Sequence, residues 1–142
     1  MRRSLLFLRR PASAHRRADF VVAVGFALSA LVVTAPHAVA AGDPKAGQAV
    51  FSARCGACHT TQAGQNKVGP SLAAIAGSKA GTVPGYNFSP AMKNASITWD
   101  DASLDKFLAN PAGFVHGTKM FVSLPSGTDR QNVIAYLNTL KK

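Results

Sequence analysis

The chain contains two cysteines, Cys55 and Cys58, and His59 follows the second directly in the stretch RCGACHTT. Two thiols at this spacing admit several chemistries. A Cys55–Cys58 disulfide would close a very small loop and staple little. Zinc needs four ligands, and His59 would supply only a third, because no second C-x-x-C or H-x-x-x-H is present. A thioredoxin-type redox pair belongs after a strand, and nothing before Cys55 alternates like one. The remaining reading is C-x-x-C-H as a c-type haem attachment signal. On one helical turn, two thiols reach the two vinyl groups of one porphyrin, and the next residue offers its imidazole to the iron.

A haem iron takes a sixth ligand. Beyond the leader described below, the candidates are Met92, Met120 and His116. Met92 lies in an irregular stretch where a flexible thioether suits an awkward gap in a core. Met120 closes HGTKM, where Gly117 permits a tight turn close to a flat ring. Residue type and turn favour Met120, with His116 on the same loop as the competitor.

The elements that must position these groups are mostly helical. DPKAGQAVFSAR, from Asp43 to Arg54, sets Gly47, Val50, Phe51 and Arg54 on one face, with Pro44 where a helix tolerates proline. WDDASLDKFLAN, Trp99 to Asn110, crowds acids into its first turn and is stopped by Pro111. A third helix is expected over Thr128–Lys141, capped by Thr128 with Gln131 and striped by Val133, Ile134, Tyr136, Leu137 and Leu140. A short helix is expected over Ser71–Ala76, closed by Gly77. Between them lie long Gly-, Pro-, Ser- and Asn-rich segments such as 77–97. Three helices of this length cannot offset the ordering of so much loop. A large apolar cofactor is therefore expected to fill the core.

The 142 residues carry a formal net charge of +10. Six arginines and one acid stand in the first nineteen residues, followed by an uncharged apolar run from Phe20 to Ala35, Pro36, and Ala38-Val39-Ala40. This order reads as a signal peptide, residues 1–40, cleaved after Ala40, leaving a single domain over 41–142. The alternative is an uncleaved anchor, for which the run is shorter than the ~20 residues that span a bilayer comfortably. A mitochondrial presequence leading to the intermembrane space is a lesser variant. The domain beyond keeps ten of the sixteen basic residues and five of the six acids, so its charge is only +5. Six of its lysines are scattered singly and a pair ends the chain, which sets nucleic acid aside as a partner and leaves a mildly positive surface suited to acidic proteins.

Several motifs in one order then identify a resemblance: GDPKAGQAVF, CGACHT, KVGPSL, KAGTVPGY, KNASITW, FLANP, GTKMF and DRQNVIAYL. Over residues 42–140 the chain resembles class I cytochrome c, in the subgroup of mitochondrial cytochrome c and bacterial cytochrome c2. The resemblance implies an all-α fold, about three main helices and a short one, wrapped with long loops around one covalently bound haem c. It implies thioethers at Cys55 and Cys58, with His59 and Met120 as axial iron ligands. The Pro70 carbonyl would orient His59, Trp99 would bond a haem propionate with Ser89 and Thr118 nearby, and Phe107 would stand in the pocket beside the methionine. Gly47 and Phe51 would pack against Val133 and Tyr136.

Departures from the family pattern are Ser78, Phe88, Met92 and Phe107, which make the pocket less polar, His116, which replaces a proline at the start of the methionine loop, and Ala112 and Gly113, which remove a docking pair of lysines. The implied activity is one-electron transport between redox partner proteins in the periplasm, as a monomer and not as an enzyme. The membrane would be met only transiently or through an uncleaved anchor. A haem protein with an exchangeable distal site, a peroxidase or gas binder, is the alternative that His116 and Phe107 motivate.

Overall fold

The computed structural model describes residues 41–140; the expected leader, its cleavage site and the last two lysines lie outside the described residues. Five helices appear in the order α1 (Pro44–Arg54), α2 (Pro90–Asn94), α3 (Asp101–Ala109), α4 (Pro111–Phe114) and α5 (Gly127–Thr139). Among the described residues strand pairing is limited to one isolated bridge, Lys79 with Thr98. No described helix is long and apolar enough to cross a membrane.

Local chemistry sets the helix starts. The Asp43 carboxylate accepts the Lys45 amide and caps α1, and Pro44 occupies the first turn. Ser89 and Asn110 cap α2 and α4 in the same way, each ahead of a proline. Asp100 caps α3 by accepting the Ser103 amide. The last helix begins earlier than Thr128, because the Ser126 hydroxyl accepts the Asp129 amide and takes the capping role.

The expected helix over Ser71–Ala76 is not formed. Those residues make turns, and Ala74 adopts the left-handed region at φ 54°, which no α-helix admits. Two groups draw the backbone away from a helix: the Asn66 side chain accepts the Ser71 amide, and the Leu140 carbonyl accepts the Ala74 amide at 3.1 Å. Gly77, at φ 87°, still turns the chain as expected. Met92, expected in irregular chain, sits on α2 instead.

The helices meet where side chains are smallest. A Cβ added at Gly47 would run into the Asn132 carbonyl and lie 2.9 Å from Tyr136 Cβ, so only glycine lets α1 and α5 cross this closely. Phe51 and Tyr136 pack at 5.6 Å between ring centroids beside that crossing. Val133, Ile134 and Leu137 of α5 and Leu104, Phe107 and Leu108 of α3 complete the buried core with Trp99 and Met92. Arg130 ties α5 to α3 through a 2.7 Å ion pair with Asp105.

Candidate functional site

An apolar cavity of about 290 Å³ opens inside this frame. All nine residues expected at the site line it: Cys55, Cys58 and His59 from the end of α1 and the turn after it, Pro70 and Ser89 from the loops, Trp99 and Phe107 around α3, and Thr118 and Met120 from the segment before α5. Leu72, Ile75, Leu104, Leu108, Val133 and Leu137 close its floor and were not expected from sequence. Each was legible only as a core position.

The cysteine turn is built by backbone bonds. As α1 ends, the Cys55 and Gly56 amides both donate to the Phe51 carbonyl, and the Cys58 and His59 amides both donate to the Cys55 carbonyl. Both thiols are free and half-buried. Burial pushes the Cys55 thiol above its ordinary range, with Arg54 opposing and Cys58 adding. The thiol form is therefore favoured over thiolate until its hydrogen is exchanged for carbon.

His59 is oriented from two sides. Its Nδ1 lies 2.8 Å from the Pro70 carbonyl oxygen, which can only accept, so Nδ1 carries the proton and Nε2 keeps its lone pair. Gly69 presses against the ring: a Cβ there would stand 2.7 Å from Nδ1 and 2.8 Å from Nε2. Burial lowers the imidazole's proton affinity, and the Pro70 bond partly opposes this. A neutral ring with an available lone pair is a metal ligand.

Opposite elements supply a thioether and a set of unspent donors. Met120 is half-buried, and its amide donates to the Thr118 hydroxyl at 3.2 Å. Gly117, at φ 91°, makes the turn that precedes it. The Ser89 hydroxyl accepts the Met92 amide at 3.2 Å. Both hydroxyl oxygens are thus used as acceptors, while their own O–H groups find no acceptor among the described residues. The same is true of the Trp99 indole N–H, whose ring is fixed by Phe107 at 5.0 Å and whose backbone is pinned to Gly77 and Ser78. Three donors on buried residues that line one apolar cavity suit a large flat ligand that carries acceptor oxygens. Among the described residues no donor reaches the Met120 sulfur, and Phe107, which lines the same cavity, has none to offer.

Side chains that sequence reasoning missed hold the loops shut. Asn66 donates to the Pro84 carbonyl at 3.0 Å, Tyr86 to Val68 at 2.8 Å, and the Lys119 ammonium to Asn87 at 2.7 Å. Each ends on a backbone carbonyl of another segment, which no motif records.

The cytochrome c family model matches residues 44–141. A cytochrome c from Euglena viridis is 50% identical over 101 residues, covering 70% of this chain and 99% of the relative. A cytochrome c2 from Rhodomicrobium vannielii is 48% identical over 114 residues, covering 79% and 90%. Among solved structures, cytochrome cH from Methylobacterium extorquens superposes with a TM-score of 0.64 at 43% identity, covering 69% of this chain and 99% of that one.

Proposed function

The chain belongs to the cytochrome c family and carries one covalent haem c as an electron carrier, and on that premise we propose that it is an exported, His/Met-ligated carrier that shuttles single electrons between redox proteins. The bound haem supplies a reversible one-electron couple. The protein's part is to bind, orient and exclude. Cys55 and Cys58 would hold the ring as thioethers. His59 would bind the iron through Nε2, with Pro70 fixing its tautomer and Gly69 its tilt, and Met120 would be the second protein ligand. Trp99, Ser89 and Thr118 would offer donors to the propionates, and Phe107 would contribute apolar lining.

The observation that supports this reading best is the 2.8 Å His59–Pro70 bond, which leaves a lone pair for metal at the end of the cysteine turn. With His59 and Met120 both bound to it, the iron would keep no position for a substrate. The test is the oxidised visible spectrum. Parent protein should show the far-red sulfur–iron band at neutral pH, and Met120→Ala should lose it, bind carbon monoxide rapidly when reduced, and fall in potential. A parent spectrum without that band removes Met120 as ligand.

One observation favours a second reading with an exchangeable site: the Met120 sulfur has no donor among the described residues. Rapid carbon monoxide binding by the reduced parent would establish it, and none would end it. Periplasmic residence would follow if residues 1–40 act as a cleaved leader. An intact mass beginning at Ala41 supports that, and a retained leader makes the carrier membrane-tethered.

A further inference from the structure

The chain enters the domain pressed against the backbone of α5. A Cβ added at Gly42 would run into the Gln131 carbonyl and stand 2.8 Å from the Asn132 amide nitrogen. One residue on, the Asp43 amide donates to the Asn132 side-chain oxygen at 2.8 Å. The Asp43 carboxylate accepts the Lys45 amide, and its carbonyl accepts the Gly47 amide, each at 2.8 Å. The amide, carbonyl and side chain of Asp43 are therefore all committed, between α1 on one side and α5 on the other.

This grip begins two residues beyond Ala40, where Ala38-Val39-Ala40 ends the expected leader. Ala41 is exposed, and it alone separates the bond to be cut from Gly42. An endopeptidase takes its substrate as an extended strand and pairs with backbone on both sides of the scissile bond. A glycine lying against the carbonyl of another helix does not offer that strand. Nor does the next residue, whose amide and carbonyl are already bonded. Cleavage after Ala40 then needs the start of the domain to peel away from α5, and its rate follows the fraction of molecules opened there.

We propose that α5 gates the proteolytic site between Ala40 and Ala41. Once Gly42 and Asp43 are seated on α5 the bond is resistant, so a leader peptidase of A-x-A specificity cuts only chains in which that seat is empty. The proposal rests on residues 1–40 being a leader. The reaction is a hydrolysis: water adds across the peptide bond, leaving a carboxylate on Ala40 and a free amine on Ala41. A chain cut before seating becomes a free carrier. A chain that seats Gly42 first keeps residues 1–40.

The test uses the haem-loaded full chain, residues 1–142, accumulated in cells depleted of leader peptidase and purified in detergent. A purified bacterial leader peptidase of A-x-A specificity is added, and intact mass follows the product that begins at Ala41. Insertion of Gly-Ser-Gly-Ser between Ala41 and Gly42 moves the bond away from α5 and changes no residue of the domain. The inserted chain should be cut about twentyfold faster than the parent, or more. Asn132→Ala, which removes the acceptor of the Asp43 amide, should be cut about threefold faster or more. An unchanged visible spectrum shows that each variant is folded. Equal rates for the parent and the inserted chain overturn the proposal. So does a cut confined to haem-free chains, because the barrier would then lie away from Gly42. If no form is cut after Ala40, haem-free chain included, the leader reading itself falls and this proposal with it.

Discussion

Replacing Gly69 by alanine should damage the site from behind, without substituting any residue proposed to bind iron. The new Cβ would lie 2.7 Å from His59 Nδ1 and 2.8 Å from Nε2. The Cε1 atom between them would be closer still, and ordinary contact begins near 3.4 Å, so the ring or the loop must give by more than the ~0.7 Å that Nδ1 alone requires. The ring cannot yield freely, because its Nδ1–H is committed to the Pro70 carbonyl. Nor can the loop, because the Gly69 amide donates to the Cys58 carbonyl and the Gly69 carbonyl accepts the Lys67 amide. Overpacking of this kind costs about 1–3 kcal/mol, and loss of the histidine bond about 1 kcal/mol more. The sum is roughly 2–4 kcal/mol, or a fall in melting temperature of about 8–25 °C for a domain near 100 residues. Gly69→Ala should also weaken the His59–iron bond and lower the resistance of the oxidised spectrum to added imidazole. Guanidinium unfolding followed in the visible and far-ultraviolet checks both effects. A variant within about 0.5 kcal/mol of the parent, with an unchanged spectrum, would refute the claim that Gly69 holds the imidazole in place.

Three further outcomes are expected. Ala74→Gly should stabilise the protein by about 0.5–1 kcal/mol, because the relief of a left-handed alanine at φ 54° exceeds the entropy glycine adds to the unfolded chain; a lower guanidinium midpoint would contradict it. Acid should destabilise the haem-loaded protein at Asp100. That carboxyl is held below its usual range, chiefly by the Ser103 amide, so its contribution is present above that range and is lost as pH falls through it. Urea unfolding at several pH values reads this, and an Asp100→Asn variant with the same acid dependence as the parent would count against it. Asn66→Ala should cost about 1–3 kcal/mol, since it strands the part-buried Ser71 amide and frees Pro84; hydrogen exchange in residues 84–88 should accelerate, and unchanged exchange would deny Asn66 that role.

The main helices were readable because their signals are local. Asp43 with Pro44 marks the start of α1, and the acids at 100 and 101 mark that of α3. At α5 two nested signals competed, Thr128 with Gln131 and Ser126 with Asp129, and the earlier cap won. Helices α2 and α4 span five and four residues, too few to show a period. The turns over 71–76 were misread because their conformation is decided at long range, by Asn66 and by the far end of α5. The nine expected site residues were found through motif order, and the structure gathers all of them around one cavity. What no pattern could supply was the bonding to backbone carbonyls, since any residue carries one. The close approach at Gly69 is in the same class.

The crossing of α1 with α5 also governs timing. These are the first and last described helices, so the surface that covers Phe51 is made last during synthesis. Until Asn132 seats against Gly47, the cysteine turn at the end of α1 has no packed support behind it. A chain that emerges from its N-terminus therefore presents both thiols before it is able to close over them. The glycine crossing is a late clasp: α5 can close over Phe51 and the cysteine turn only once the whole chain is present.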